Sequence, residues 1–465
     1  METTNPATGR RLRTYPETSE READAALREG AAAARAWGRE SFAARARCLE
    51  RAAGELRSRA GDYARLMAEE MGKPLAQGRS EAEKCAWVCE HYAEHAERLL
   101  AREPAPADSG RSFVEFRPLG LVLAIMPWNF PFWQVFRCAA PNLMAGNACA
   151  LKHASNVSGC ALAIQELLER AGLPRGLFRS LLVPSERVQA LIEHESVAAV
   201  TLTGSTSAGQ AVAAAAGKAL KKTVLELGGS DPYLVLEDAD LERAVGTCVA
   251  SRLINTGQSC IAAKRFIVVE AVLAEFTERM VEAMRAKTWG DPLEGEFDLG
   301  PLARRDLRDD LHRQVERSVE AGARLLLGGE IPGGPGAFYP PSVLADVRAG
   351  SPAYSEELFG PVAAILPAED EERAIEIAND SPFGLGAAVF TRDVARGERI
   401  AAERIEAGCC FVNDFVKSDP RLPFGGVKRS GYGRELGLAG IREFVNIKSV
   451  HVEPPRTSAS RGGAE

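Results

Sequence analysis

The sequence predicts an α/β protein: a mostly parallel sheet flanked by helices. Three observations carry that reading. Strand-like and helix-like patterns alternate from Leu121 to Leu227, as a parallel sheet with crossover helices requires. A second alternating block runs from Leu241 to Asn413. Between a strand pattern and a helix pattern lies Gly204-Ser205-Thr206-Ser207-Ala208-Gly209. Its glycines would let backbone N–H groups approach a phosphate at a helix N-terminus. The hexapeptide is neither GxGxxG nor a P-loop, so an ordinary strand-to-helix turn is the other reading of it.

Composition bounds the class. At 465 residues the chain exceeds one small core and predicts two or three structural units. Hydrophobic residues at 46% and charged residues at 26% are ordinary for a soluble enzyme. A net charge of -7 argues against a nucleic-acid partner, which calls for a basic face. The start, Met-Glu-Thr-Thr-Asn-Pro, lacks the pattern of a secretory signal, and the longest aliphatic run, Leu121 to Met126, is too short to span a membrane. The ten cysteines form no paired framework and no zinc spacing. Free thiols in a reducing cytoplasm are expected.

In chain order, Thr18–Trp37, Ser41–Met71 and Arg79–Leu100 read as amphipathic helices. His91 and His95 lie four apart on the third, but Tyr92 stands where a zincin needs Glu, so no metal site is expected. Residues 103–110 are Pro-rich and read as a connector. Phe113–Phe116, Leu121–Met126, Asn147–Lys152, Leu177–Val183, Val197–Leu202 and Lys222–Leu227 read as strands. Helices are expected over Gly159–Ala171, Glu186–His194 and Ser207–Ala219. The second block gives helices over Leu241–Ile254, Val272–Lys287, Leu307–Gly322, Asp370–Asn379 and Val394–Ala402. Its strands are Arg265–Val269, Arg324–Leu327, Val362–Leu366, Ala387–Phe390 and Cys410–Asn413. Gly328–Pro341 must be loop, Phe444–Val452 is a last strand, and the polar tail 454–465 is expected to be disordered.

Several short motifs carry chemistry. Glu226 ends a strand-like run between apolar residues, where burial would raise its pKa toward neutrality and suit it to base chemistry. Cys260 closes Asn255-Thr256-Gly257-Gln258-Ser259 and is a candidate nucleophile. Taken singly, Glu226 reads equally as a strand-end carboxylate and Cys260 as a core thiol. Pro127-Trp128-Asn129-Phe130-Pro131 is a rigid turn whose carboxamide suits an oxyanion donor. Lys152 closes a strand, with Ser155 just beyond. Glu357-Leu358-Phe359-Gly360-Pro361 sets a carboxylate and an aromatic before a Gly-Pro turn, and Pro423 to Gly431 is glycine-dense.

In this order, Pro127 to Pro131, Lys152, Gly204 to Gly209, Glu226 to Gly229, Gly257 to Cys260, Glu357 to Pro361 and Pro423 to Gly426 resemble the aldehyde dehydrogenase superfamily across nearly the whole chain. The resemblance implies a Rossmann-type cofactor domain, an α/β catalytic domain and a β-strand oligomerisation arm. The implied boundaries are 1–107 and 124–226 for the cofactor domain, 227–443 for the catalytic domain, and 108–123 with 444–453 for the arm. Cys260 resembles the family's nucleophile, Glu226 its general base and Asn129 its oxyanion amide. Lys152 resembles the residue that bonds the adenine-side ribose, Gly204 and Ser205 the pyrophosphate contacts, and Glu357 the nicotinamide-ribose anchor with Phe359 beside it. Trp128 and Ser155 complete the implied cofactor set. The implied reaction oxidises an aldehyde to a carboxylic acid with NAD or NADP, through a cysteine thiohemiacetal and a thioester. A homodimer or homotetramer is implied as well.

Substrate choice rests on fewer residues. Arg137, on a helix leaving the Asn129 turn, would reach the tunnel mouth and hold a carboxylate at the far end of a short aldehyde. The succinate-semialdehyde branch of the superfamily carries an arginine at this place, so succinate semialdehyde is the expected substrate. A second arginine of that branch is replaced here by Ile254, and Lys417, Ser418 or Arg421 would supply the missing contact, with Ser418 placed in the substrate set. The alternatives are an enzyme for uncharged aliphatic or aromatic aldehydes, or a non-catalytic binding protein. Ser155 stands where NAD-preferring members often have a glutamate and cannot repel a 2′-phosphate, so NADP is expected to be accepted, alongside NAD.

Overall fold

The computed structural model describes residues 1–455. The expected disorder of the tail falls mainly on residues outside that range. A hairpin of Glu2–Thr4 and Arg11–Thr14 precedes four helices: Glu20–Trp37, Phe42–Ser58, Ala60–Met71 and Leu75–Leu99. Ser19 starts the first with a capping box, its hydroxyl accepting from the Glu22 N–H and its own N–H donating to the Glu22 carboxylate. The single helix expected over Ser41–Met71 is two helices. Arg59 leaves helical geometry (φ −116°, ψ 18°) between them, and a one-residue break with regular periodicity on both sides leaves no mark in the pattern.

Three sheets organise the rest. A six-stranded sheet has the order Gly431–Tyr432, Lys222–Glu226, Val197–Thr203, Leu121–Met126, Ala148–His153, Phe178–Ser180. All neighbours are parallel except the short first strand. The chain builds outward from Leu121–Met126 to one side, then returns to its other side with Val197–Thr203. That reversal opens a crevice at the carboxyl ends of these two strands, where open α/β sheets bind ligands. Register brings the ends together: Met126 pairs with His153, and Thr203 with Glu226.

A seven-stranded sheet has the order Arg324–Leu327, Ser342–Ala345, Val362–Ala368, Ala263–Val269, Asp231–Val235, Gly386–Phe390, Cys409–Val412, parallel except at its Arg324–Leu327 edge. Asp231–Val235, near its centre, is absent from the sequence reading. Pro232 argues against a central strand, and the ladder absorbs it with a register shift at Asp231/Pro232. Separate apolar clusters pack the two faces of this sheet, and one large cluster joins the six-stranded sheet to the N-terminal helices.

The third sheet is antiparallel: Val445–Val452, Arg111–Pro118, Glu103–Ala105. The observed strands cross three of the expected bounds. The Pro-rich connector begins as an edge strand, where Pro104 needs no ladder partner. Leu121–Leu123, expected in the arm, belong to the six-stranded sheet, and so do Gly431–Tyr432, expected with the catalytic residues. Among the described residues, all ten cysteines are free and no helix is long and apolar enough to cross a membrane.

Candidate active site

Glu226 is the last residue of its strand, and Asn129 lies in the turn leaving the Leu121–Met126 strand. Cys260 follows a left-handed stretch in which Asn255, Thr256 and Gly257 have φ of 54°, 57° and 74°. Such backbone costs a non-glycine residue about 1–2 kcal/mol, and hydrogen bonds hold it. Asn255 Nδ2 donates to the carbonyls of Asn129 (2.7 Å) and Gln258 (3.0 Å), and the Gly300 N–H donates to Thr256 Oγ1 (3.0 Å). Gly257 is packed so closely on Gly360 that an added Cβ would overlap the Gly360 carbonyl. The Cys260 turn is thereby locked to the loop that carries Glu357 and Phe359.

The Asn129 carboxamide is fixed at both ends. Its Nδ2 donates to the Gln258 carbonyl at 3.1 Å and its Oδ1 accepts from Gln134 Nε2 at 3.0 Å. The second hydrogen on Nδ2 remains for an oxyanion.

Two cavities meet at Cys260. One, of about 180 Å³, is walled by Trp128, Asn129, Gly204, Ser205, Glu357 and Phe359. The other, of about 420 Å³, is walled by Trp133, Arg137, Ile254, Ser418 and Phe424 among others. Cys260 and Gln134 belong to both walls. The structure therefore gathers most of the residues singled out in the sequence into two adjoining spaces. Lys152 and Ser155 stand beyond the first cavity, at the end of the neighbouring strand. Glu226 lines neither. It is buried behind Gly425, where a Cβ would meet its Oε1 at 2.6 Å.

Electrostatics here follow burial. Desolvation holds the Glu226 carboxyl well above its ordinary pKa, opposed mainly by the Arg137 charge. Among the described residues neither carboxylate oxygen has a hydrogen-bond partner. Burial pushes the Cys260 thiol up to about 12, with Arg137 and Lys264 pulling it back. Lys264 was not anticipated from sequence. Its ammonium donates to the carbonyls of Ser259 (2.9 Å), Cys260 (2.8 Å) and Ala262 (3.2 Å), and lies 3.5 Å from the Glu357 carboxylate. Glu357 Oε1 also accepts from the Gly229 N–H at 3.1 Å, and Phe359 meets Trp128 edge to face at 5.8 Å.

Arg137 is not the open clamp that its sequence position suggested. Its side chain is 3% exposed and ion-paired with buried Glu435, donates Nη2 to Thr203 Oγ1 at 3.2 Å, and stacks over Phe424. Of the companion residues weighed for the missing arginine, Lys417 is paired with Asp414 and Arg421 with Asp419. Ser418 is buried, and its hydroxyl accepts from Lys84 Nζ (2.8 Å) and Trp133 Nε1 (3.1 Å). Lys84 also escaped the sequence reading. The only signal was a lysine directly before the apolar run Cys85-Ala86-Trp87-Val88-Cys89. His91 and His95 stack edge to face at 4.7 Å.

A dinucleotide fits the smaller cavity on three features. The helix Thr206–Lys218 begins at its wall, capped by Ser205, so its first N–H groups face an incoming phosphate. Gly228 lies so close to Glu357 that a side chain there would fill the space. Lys152 is buried, with only the distant Glu186 charge offsetting its desolvation, and is positioned for an anionic partner.

Comparison with known proteins agrees with this site. Residues 1–450 match the model of the Aldehyde dehydrogenase family. The chain is 50% identical over 446 residues to the succinate semialdehyde dehydrogenase [NAD(P)+] Sad of Escherichia coli, covering 96% of each chain. It is 49% identical to a probable succinate-semialdehyde dehydrogenase [NADP(+)] of Synechocystis, covering 97% of this chain and 99% of the relative. The crystal structure of succinic semialdehyde dehydrogenase from Streptococcus pyogenes, in complex with NADP+, superposes with a TM-score of 0.95 at 36% identity over 97% of this chain and all of its own. With that match across almost its whole length, the chain belongs to the aldehyde dehydrogenase family.

Proposed function

We propose that the protein oxidises succinate semialdehyde to succinate, with NADP accepted and NAD alongside it. The observation that carries this reading is the place of Cys260, on the shared wall of the two cavities. The larger cavity takes the aldehyde and the smaller the cofactor. The Cys260 sulfur, as thiolate, adds to the aldehyde carbon and forms a thiohemiacetal. Asn129 Nδ2 and the Cys260 N–H donate to the new oxyanion. A nicotinamide held beside Cys260 would supply the hydride acceptor that turns the thiohemiacetal into a thioester on the Cys260 sulfur. Glu226 takes a proton from water, which attacks the thioester and releases the acid and the thiolate. Lys152 and Ser155 would hold the adenine-side ribose, Gly204 and Ser205 the pyrophosphate, and Glu357 with Phe359 the nicotinamide ribose, with Trp128 beside Phe359 in the cofactor set.

Arg137, on the wall of the larger cavity, and Ser418 contact the substrate's far end. The six-stranded sheet carries the cofactor half, the seven-stranded sheet the catalytic half, and the three-stranded sheet the arm of a homodimer or homotetramer. The ten unpaired thiols favour the cytoplasm. A second reading, oxidation of uncharged aldehydes, is favoured by Ile254 and the apolar wall formed with Phe130, Val249, Leu253 and Phe424.

Steady-state kinetics with succinate semialdehyde, butanal and benzaldehyde, each with NADP and NAD, test the reading. Succinate semialdehyde is expected to give the highest kcat/KM, and Cys260→Ala to abolish nicotinamide reduction. A higher kcat/KM for butanal would reject the substrate, and an NAD preference above roughly a hundredfold, a difference of about 2.7 kcal/mol, would reject NADP.

A further inference from the structure

The charges around the larger cavity do not balance. Four cations border it: Lys84, Arg137, Lys287 and Lys417. Three are already paired, Arg137 with Glu435, Lys287 with Asp298 at 3.2 Å and Lys417 with Asp414 at 2.6 Å. The one other carboxylate on the wall, Glu81, is ion-paired with Lys73 and accepts the N–H groups of Phe132 and Trp133. Among the described residues Lys84 has no carboxylate within ion-pair distance. Its ammonium is held by Ser418 Oγ at 2.8 Å and by the Trp133 ring, whose centroid lies 4.3 Å away. Burial, then the neighbouring Arg137 charge, pushes it down to about 8.

A desolvated ammonium without an anion is costly, and an incoming carboxylate removes that cost. Ser418 adds to the fit. Its oxygen accepts twice, from Lys84 and Trp133, so its own O–H is left to donate. Arg137, by contrast, already has a carboxylate partner in Glu435.

We propose that Lys84 is the cationic anchor for the far carboxylate of the semialdehyde, with the Ser418 O–H as second donor, in the role left open by Ile254. This rests on the substrate reading above and names the residue that enforces it. The ammonium comes from the Leu75–Leu99 helix, whereas Ile254 lies in the turn before Cys260. The cation therefore stands on a different element of the same cavity wall.

Lys84→Met tests it. The ratio of kcat/KM for succinate semialdehyde to that for butanal is expected to fall by roughly 10- to 100-fold, as expected for a lost charged hydrogen bond, with the loss falling on KM. Lys84→Arg, which keeps the charge, should keep the preference. Succinate binding to the cofactor-loaded protein, measured by calorimetry, should weaken in parallel in Lys84→Met. An unchanged ratio, or an equal loss for both aldehydes, would overturn the assignment while leaving the substrate reading intact. A wild-type enzyme that favours butanal yet binds succinate through Lys84 would reject the substrate and keep the anion site. A wild-type enzyme that favours butanal and binds no succinate through Lys84 would reject both.

Discussion

Burial raises the Glu226 carboxyl and the Cys260 thiol above their ordinary pKa values, and that sets how the enzyme must respond to pH. A base works only when deprotonated, and the Glu226 carboxyl is raised well above its ordinary value. Its active fraction therefore grows with pH above the range of a solvent-exposed glutamate. Cys260, pushed up to about 12, adds a rise in the same direction until substrate and cofactor rebalance the site. We expect kcat to climb from pH 6 to pH 9, measured by initial rates in constant ionic strength. A flat profile would show that neither group limits turnover. Glu226→Gln should lower turnover by about 10²–10⁴-fold, the usual contribution of a positioned base. A single burst of reduced nicotinamide should survive, because Glu226 acts on the thioester and not in its formation. Lys264 acts through others, tying the Cys260 backbone to Glu357. Lys264→Met should raise KM for NADP and slow the burst together. A change in KM for the aldehyde alone would contradict that link.

At the scale of elements, the site depends on turns at strand ends. The stretch from Asn255 to Gly257 is left-handed throughout and lies against the Gly360 carbonyl. Gly257→Ala adds a Cβ with nowhere to go in a backbone that already disfavours it. The strain of about 1–2 kcal/mol should lower Tm by about 1–2 °C in a protein of this size, and the overlap should add to that. It should also displace Glu357, so scanning calorimetry and KM for NADP should change together. An unaltered Tm would mean that the loop yields freely. The helix Trp133–Ala145 is positioned the same way. Its first N–H groups are capped by buried Glu81, not by a local side chain, which fixes Trp133 and Gln134 against the cavity.

At the scale of the whole molecule, the Val445–Val452 strand is largely exposed, with Ile447 60% open to solvent. It pairs on one side only, with Arg111–Pro118. Cys409–Val412 is likewise an edge of the seven-stranded sheet. Exposed apolar edges are rarely left bare. If the arm assembles subunits, Ile447→Asp should shift sedimentation velocity toward a smaller species, and an unchanged distribution would assign assembly to another surface.

Much of this was legible in the chain. Alternating patterns specified the parallel sheets, because the periods of helix and strand are local properties. The places of Asn129, Gly204, Glu226 and Cys260 were legible for the same reason. Each sits at the end of a strand or in a short turn, and only the ordered set of motifs gave them a common chemistry. Pro232 hid a central strand, and a break at Arg59 passed unnoticed, because neighbours in space overrode the local signal. What only the tertiary structure decided is which charge meets which. Arg137 is held by Glu435, and Lys84 reaches Ser418 across a separation of 334 residues. No spacing rule encodes such a choice. A buried ion pair is selected from every carboxylate the fold brings near, and the cation left without one is known only once the packing is complete.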